Sequence, residues 1–205
     1  MAGCGRPCAA TRTRRVSAMG ADEVRIEPVP VEDYHRLERE LFGDAARAGT
    51  AGVSRMWAHN PGLMKAQRPL QEYLLGDSTL PPRERELAIL RVTWLCGSEY
   101  AFGQHTLFGE RAGLSAEEIR RVTEGPDAPG WTPFEAALLR AADELRADAR
   151  VSGPTWAVLA ETYDTAQLID LIAVIGRYWT VAVTLNSAGV PLDPDRPGFP
   201  ERPAS

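Results

Sequence analysis

Glu86 and His105 lie in a stretch, PRERELAILRVTWLCGSEYAFGQHTLFGERAG over residues 82–113, that reads as two consecutive helices broken near Gly97 and Ser98. Each helix carries one polar residue on a stripe that is otherwise apolar. Glu86 shares a face with Ile89, Leu90, Thr93 and Gly97, and His105 with Ala101, Phe102, Phe108 and Ala112, since residues three and four apart on a helix are neighbours. A carboxylate and an imidazole on core-facing stripes are costly to bury alone. They become tolerable if they meet each other, a water or a ligand. Histidine gives or takes a proton near neutral pH, and a nearby carboxylate favours its charged form and fixes its orientation. The chemistry this spacing points to is proton transfer, with His105 and Glu86 as the catalytic pair beside a small apolar cavity. A hydrogen-bonded pair that merely joins two helices fits the same spacing.

The neighbours of the pair have local explanations as well as functional ones. Ser98 is placed to cap the second helix, and Glu99 falls in its first turn, where the helix dipole favours a negative charge. Tyr100 offers a phenol that could donate to a ligand carboxylate or carbonyl, or could pack in the core. Cys96, near the end of the first helix, reads as a small buried hydrophobe rather than a reactive thiol. Other chemistries find no foothold. The sequence has no Cys-x-x-Cys, no His-Glu-x-x-His, no phosphate-binding glycine loop and no Gly-x-Ser-x-Gly. Its 3 histidines are scattered, so no metal site is expected and the default is cofactor-free acid–base chemistry.

The elements that must position the pair are helical. Residues 31–42 have helical periodicity, residues 45–53 read as a small-residue loop, and residues 55–75 as one interrupted helix or two short ones, divided at Asn60-Pro61-Gly62. Pro81 and Pro82 suit the first turn of the first key helix. Ser115 with Glu118, Thr132 with Glu135, and Asp164 with Gln167 are capping boxes that start three later helices. Ser152 starts another, expected to reach Tyr163. The last long helix, to about Asn186, is apolar nearly all round, which suggests a central position or a subunit interface. No segment alternates with the period of a long strand. The fold expected is all-α, a compact multi-helix domain over residues 21–190, followed by an extended Pro-rich tail over residues 191–205. Residues 1–20 read as a disordered leader; they lack the apolar block of a secretory signal, and Met19 is an alternative start.

Composition narrows the partners. A chain of 205 residues with 44% hydrophobic and 25% charged content fits one ordinary globular domain. A net charge of −5 gives no general reason to expect nucleic acid. The longest apolar segment, residues 168–185, is interrupted by Asp170 and Arg177, so no membrane span is expected. An odd count of 3 cysteines points to a reducing, cytoplasmic setting.

The run LPPRERELAILRVTWLCGSEYAFGQH, the AGLS-x-EEI helix start after it and VTLNSAGVPLD near the C-terminus resemble the carboxymuconolactone decarboxylase and alkylhydroperoxidase D-like superfamily. In the peroxidase branch the pattern is Glu, eleven residues, Cys-x-x-Cys, three residues, His. Glu86 takes the Glu position and His105 the His position, while the two thiol positions fall on Ser98 and Ala101. The resemblance implies an AhpD-like all-helical fold, assembly as a homo-oligomer (trimer or hexamer), and acid–base roles for His105 and Glu86. It also implies that Ser98 and the segment carrying Trp57, His59 and Met64 border the substrate; Tyr100 and Glu99, beside Ser98, are the further candidates for substrate contact. The activity it implies is decarboxylase-like, a lyase or isomerase acting on a small carboxylated, cyclic metabolite. Two alternatives remain at this point: a thiol or peroxide oxidoreductase relying on Cys96, disfavoured by the absent cysteine pair, and a non-catalytic binding protein for a small ligand.

Overall fold

The computed structural model describes residues 24–201, and among them every regular element is a helix. The leader expected over residues 1–20 lies outside the described residues. The helices are α1 (Val31–Phe42), α2 (Gly52–Trp57), α3 (Pro61–Glu72), α4 (Pro82–Leu95), α5 (Glu99–Arg111), α6 (Ala116–Glu124), α7 (Pro133–Asp148), α8 (Gly153–Ala160) and α9 (Thr165–Ala188). The all-α architecture expected from the sequence is the one observed among the described residues.

Local chemistry explains the boundaries. Ser115, Thr132 and Asp164 each close a reciprocal capping box, with Glu118, Glu135 and Gln167 returning the hydrogen bond. Asn60 caps α3 by accepting from Leu63 N at 3.0 Å, and Pro61 occupies the first helical position. Helix α8 ends at Ala160 rather than Tyr163: Thr162 N and Tyr163 N both donate to Leu159 O, which tightens the last turn. Gly97, at φ 64°, makes the break between α4 and α5 in a conformation that costs other residues strain.

The centre of the molecule is α4, not the last helix. Residues 85–93 are buried all round, and α4 packs on α5, α6, α7 and α9. Its buried arginine is matched: Arg91 donates to both oxygens of Asp143 on α7, at 2.6 and 3.0 Å, and to Val122 O on α6 at 2.8 Å. Helix α9 is half-buried. By length and composition alone it could span a membrane, yet half of its most apolar window is buried inside the protein. Within it Asp170 accepts from Tyr73 Oη, Thr79 N and Thr79 Oγ1, which fixes the turn leading into α4.

The tail over residues 191–201 has neither helix nor strand, but it folds back on α5. Phe199 stands edge-on to Trp94 and Phe102, with ring centroids 4.9 and 5.3 Å away. Gly103 permits the crossing: a Cβ there would lie 2.1 Å from Pro197 O.

Candidate active site

His105 and Glu86 meet across the α4–α5 contact. His105 Nδ1 lies 2.6 Å from Glu86 Oε2, and both side chains are buried. A carboxylate can only accept, so Nδ1 carries the hydrogen and the ring is held in one orientation. Arg85 Nε donates to the other carboxylate oxygen at 3.2 Å, so the buried acid has a partner on each oxygen. Tyr178 and Phe108 present edge-to-face rings at 4.5 and 5.2 Å and grip the imidazole from two sides. Burial first, and the Glu86 charge second, push the Tyr178 phenol upward, so it stays protonated.

His105 forms part of the wall of a cavity of about 260 Å³, near the small end of the range for ligand pockets, ~300–1,000 Å³. The walls come from α2 (Val53, Ser54, Trp57), α5 (Tyr100, Ala101, Gln104, His105, Phe108) and α9 (Arg177, Tyr178, Val181, Leu185), closed by Arg47, Ala51, Gln71, Leu74 and Leu75. Among the described residues His105 Nε2 has no hydrogen-bond partner, and it is not among the buried polar atoms sealed from the surface. The free ring nitrogen therefore belongs to the cavity side, and the bonded one to Glu86. Glu86 itself lies behind the histidine and lines a separate recess with Arg85 and Arg111.

Of the residues expected to touch a substrate, Trp57 and Tyr100 lie on the cavity wall and Ser98 and Glu99 do not. Ser98 is fully buried at the helix junction, its Oγ unpartnered, and it makes no side-chain cap to α5. Glu99 points to the tail and accepts from Phe199 N at 3.1 Å. The tail, for which the sequence has no periodic signal, claims it. Tyr100 presents its ring, but its hydroxyl is engaged: it donates to Asp193 Oδ2 at 2.7 Å and accepts from Val53 N at 3.0 Å. Burial and the Asp193 bond push this phenol well above its ordinary range, so it is a structural donor rather than a free one. Met64 is in the small core under α1, away from the cavity. His35 and His59 each bond a backbone carbonyl, of Gly49 and Glu27, near the surface. Among the described residues no cluster of His, Cys, Asp or Glu could hold a metal ion. Cys96 is absent from the cavity wall, and burial pushes its thiol upward, away from the thiolate a peroxidase needs. Ala101, at the second thiol position of the peroxidase pattern, does face the cavity.

Residues 61–144, which carry both Glu86 and His105, match the model of the carboxymuconolactone decarboxylase family. The fold is similar to an uncharacterized peroxidase-related protein from Silicibacter sp. TM1040, with a TM-score of 0.68 at 16% identity over 87% of this chain and 97% of that one. An alkylhydroperoxidase AhpD core protein from Ralstonia eutropha JMP134 gives 0.68 at 18% identity, over 83% and 94% of the two chains. The debrominase Bmp8 gives 0.66 at 14% identity, over 84% and 94%. No curated protein matches the sequence. At these identities the structural likeness is one of fold. The family match covers residues 61–144, and over the rest of the chain the likeness to these proteins is one of fold.

Proposed function

We propose that the protein is a carboxymuconolactone decarboxylase-like enzyme that acts on a small cyclic carboxylate by proton transfer at His105. The observation that carries the reading is the division of the imidazole: Nδ1 is bound to Glu86 at 2.6 Å, while Nε2 is free beside the cavity. In the reaction, the bond between the ring carbon and the carboxylate breaks. Its electron pair enters the conjugated lactone, CO2 leaves, and the proton that completes the product comes from His105 Nε2. Glu86 holds the ring and stabilises the positive charge on it before transfer. A largely apolar cavity favours loss of the carboxylate charge as CO2. The complex of Bmp8 with 2,3,4-tribromopyrrole lends support in size only, a small ring in a related fold. A thiol route has less support, since Cys96 is off the cavity wall. The test is ultraviolet-monitored loss of γ-carboxymuconolactone with CO2 release. A stable complex without turnover would favour a binding role instead.

The reading includes a homo-oligomer. On α9, Ile169, Ile172, Gly176, Trp179 and Val183 recur at spacings of three and four, and all are exposed. That is the seam of one helix packed along another, and a second copy of this chain is the partner proposed for it.

A further inference from the structure

We infer that Arg177 is the anion-anchoring residue of the cavity, so that the carboxylate of a ligand docks on its guanidinium while the body of the ligand lies against the apolar wall toward His105. The inference rests on the proposed function for its substrate and adds the residue that selects it.

Arg177 is half-buried on α9, next to the Tyr178 whose ring meets His105 edge-to-face. It lines the cavity and also an adjoining recess beneath α1 and α3. Among the described residues no carboxylate lies within 4 Å of its guanidinium and no hydrogen bond engages it, whereas the other arginines that line the cavity and this recess are matched. Arg47 pairs with Glu72 at 2.8 Å, and Arg68 pairs with Glu38 and Glu72. Burial pushes the Arg177 guanidinium downward, the sign of a charge partly stripped of water with no counter-charge in place.

The acids that could have served are committed elsewhere. Glu38, which lines the recess, accepts from Tyr34, Arg68 and Arg47 N. Asp193 accepts from Tyr100, Gln104 and Gly52 N. Glu86 faces away, behind His105. The cavity wall thus includes two arginines and no acid, in a chain whose net charge is −5. A half-buried cation without a partner is costly unless a ligand supplies the charge. The guanidinium's planar fork matches a carboxylate through two parallel hydrogen bonds.

The experiment is calorimetric titration of the full chain with 2-furoate and with its uncharged isostere 2-furamide. Wild type should bind the carboxylate roughly tenfold to a hundredfold more tightly than the amide, the range expected for a charged hydrogen-bonded pair. Arg177→Leu should erase that preference by weakening carboxylate binding far more than amide binding, and Arg177→Lys should keep part of it. Circular dichroism of both variants confirms the fold. Equal binding of the two probes by wild type, no saturable binding of either, or a preference that survives Arg177→Leu would each overturn the assignment. His105→Ala should retain the preference. A wild type that prefers the carboxylate yet never consumes γ-carboxymuconolactone removes the decarboxylase reading and leaves Arg177 standing.

Discussion

Asp193 and Tyr100 are joined by a 2.7 Å hydrogen bond, although one lies on the C-terminal tail and the other on α5 at the cavity wall. The same carboxylate accepts from Gln104 Nε2 at 2.8 Å and Gly52 N at 3.3 Å, and Arg196 Nε donates to Gln104 Oε1 at 3.0 Å. The tail therefore fixes one wall of the site.

Gly103→Ala should pry the tail loose, because the new methyl would sit 2.1 Å from Pro197 O, a backbone atom that cannot rotate away. The expected cost is about 1–3 kcal/mol, the usual range for overpacking. Limited proteolysis should then cut within residues 191–201 faster than in wild type, alongside a lower melting temperature. Unchanged proteolysis would mean that the tail does not depend on this crossing.

The Arg83 junction should give the protein a defined acid sensitivity. Arg83 on α4 donates to Glu118 at 2.5 Å and to Glu135 at 2.8 Å, tying the central helix to the starts of α6 and α7. The Arg83 hydrogen bond, with help from Ser115, holds the Glu118 carboxyl down from 4.5 to about 2. A depressed carboxyl stabilises the fold fully above its unfolded value, and that contribution is lost as pH falls through the folded value. Glu118→Gln should accordingly melt below wild type at pH 7, with the gap closing between pH 4.5 and about 2. Thermal melts across that window check it; a gap that is constant with pH contradicts it.

Much of this molecule is legible in its sequence, for local reasons. The three capping boxes, the Asn60-Pro61 start and the glycine break at Gly97 are signals carried within a few residues, and the helices begin where those signals place them. The meeting of Glu86 and His105 is also legible, since each is a lone polar group on an apolar stripe. What escaped depends on contacts far apart in the chain. Arg177 reads as an interruption in an apolar helix, because only the assembled cavity reveals that it lacks a partner there. Glu99 and Tyr100 read as candidates for ligand contact, because nothing in a proline-rich tail announces that residues 193 and 199 return to occupy them. The central role of α4 was hidden by Arg85 and Arg91, charges that look exposed until Glu86 and Asp143 are seen to neutralise them.

Trp179→Glu should reduce the assembly state. The substitution places a charge in the middle of the exposed α9 seam, where a second copy would have to desolvate it. Sedimentation should show a wild-type oligomer and a smaller variant species with unchanged helical content. A wild type that sediments as a monomer would contradict the proposed interface.

The central claim is that His105 moves the proton, and the direct measurement is the rate of γ-carboxymuconolactone consumption by wild type and His105→Ala, each with and without added imidazole. Wild type should release CO2, and the variant should lose on the order of 10²–10⁴ in rate, the usual share of a positioned acid–base group. Imidazole entering the vacated space should restore part of that rate in the variant and leave wild type unaffected. A His105→Ala protein that turns over substrate at the wild-type rate would contradict the account.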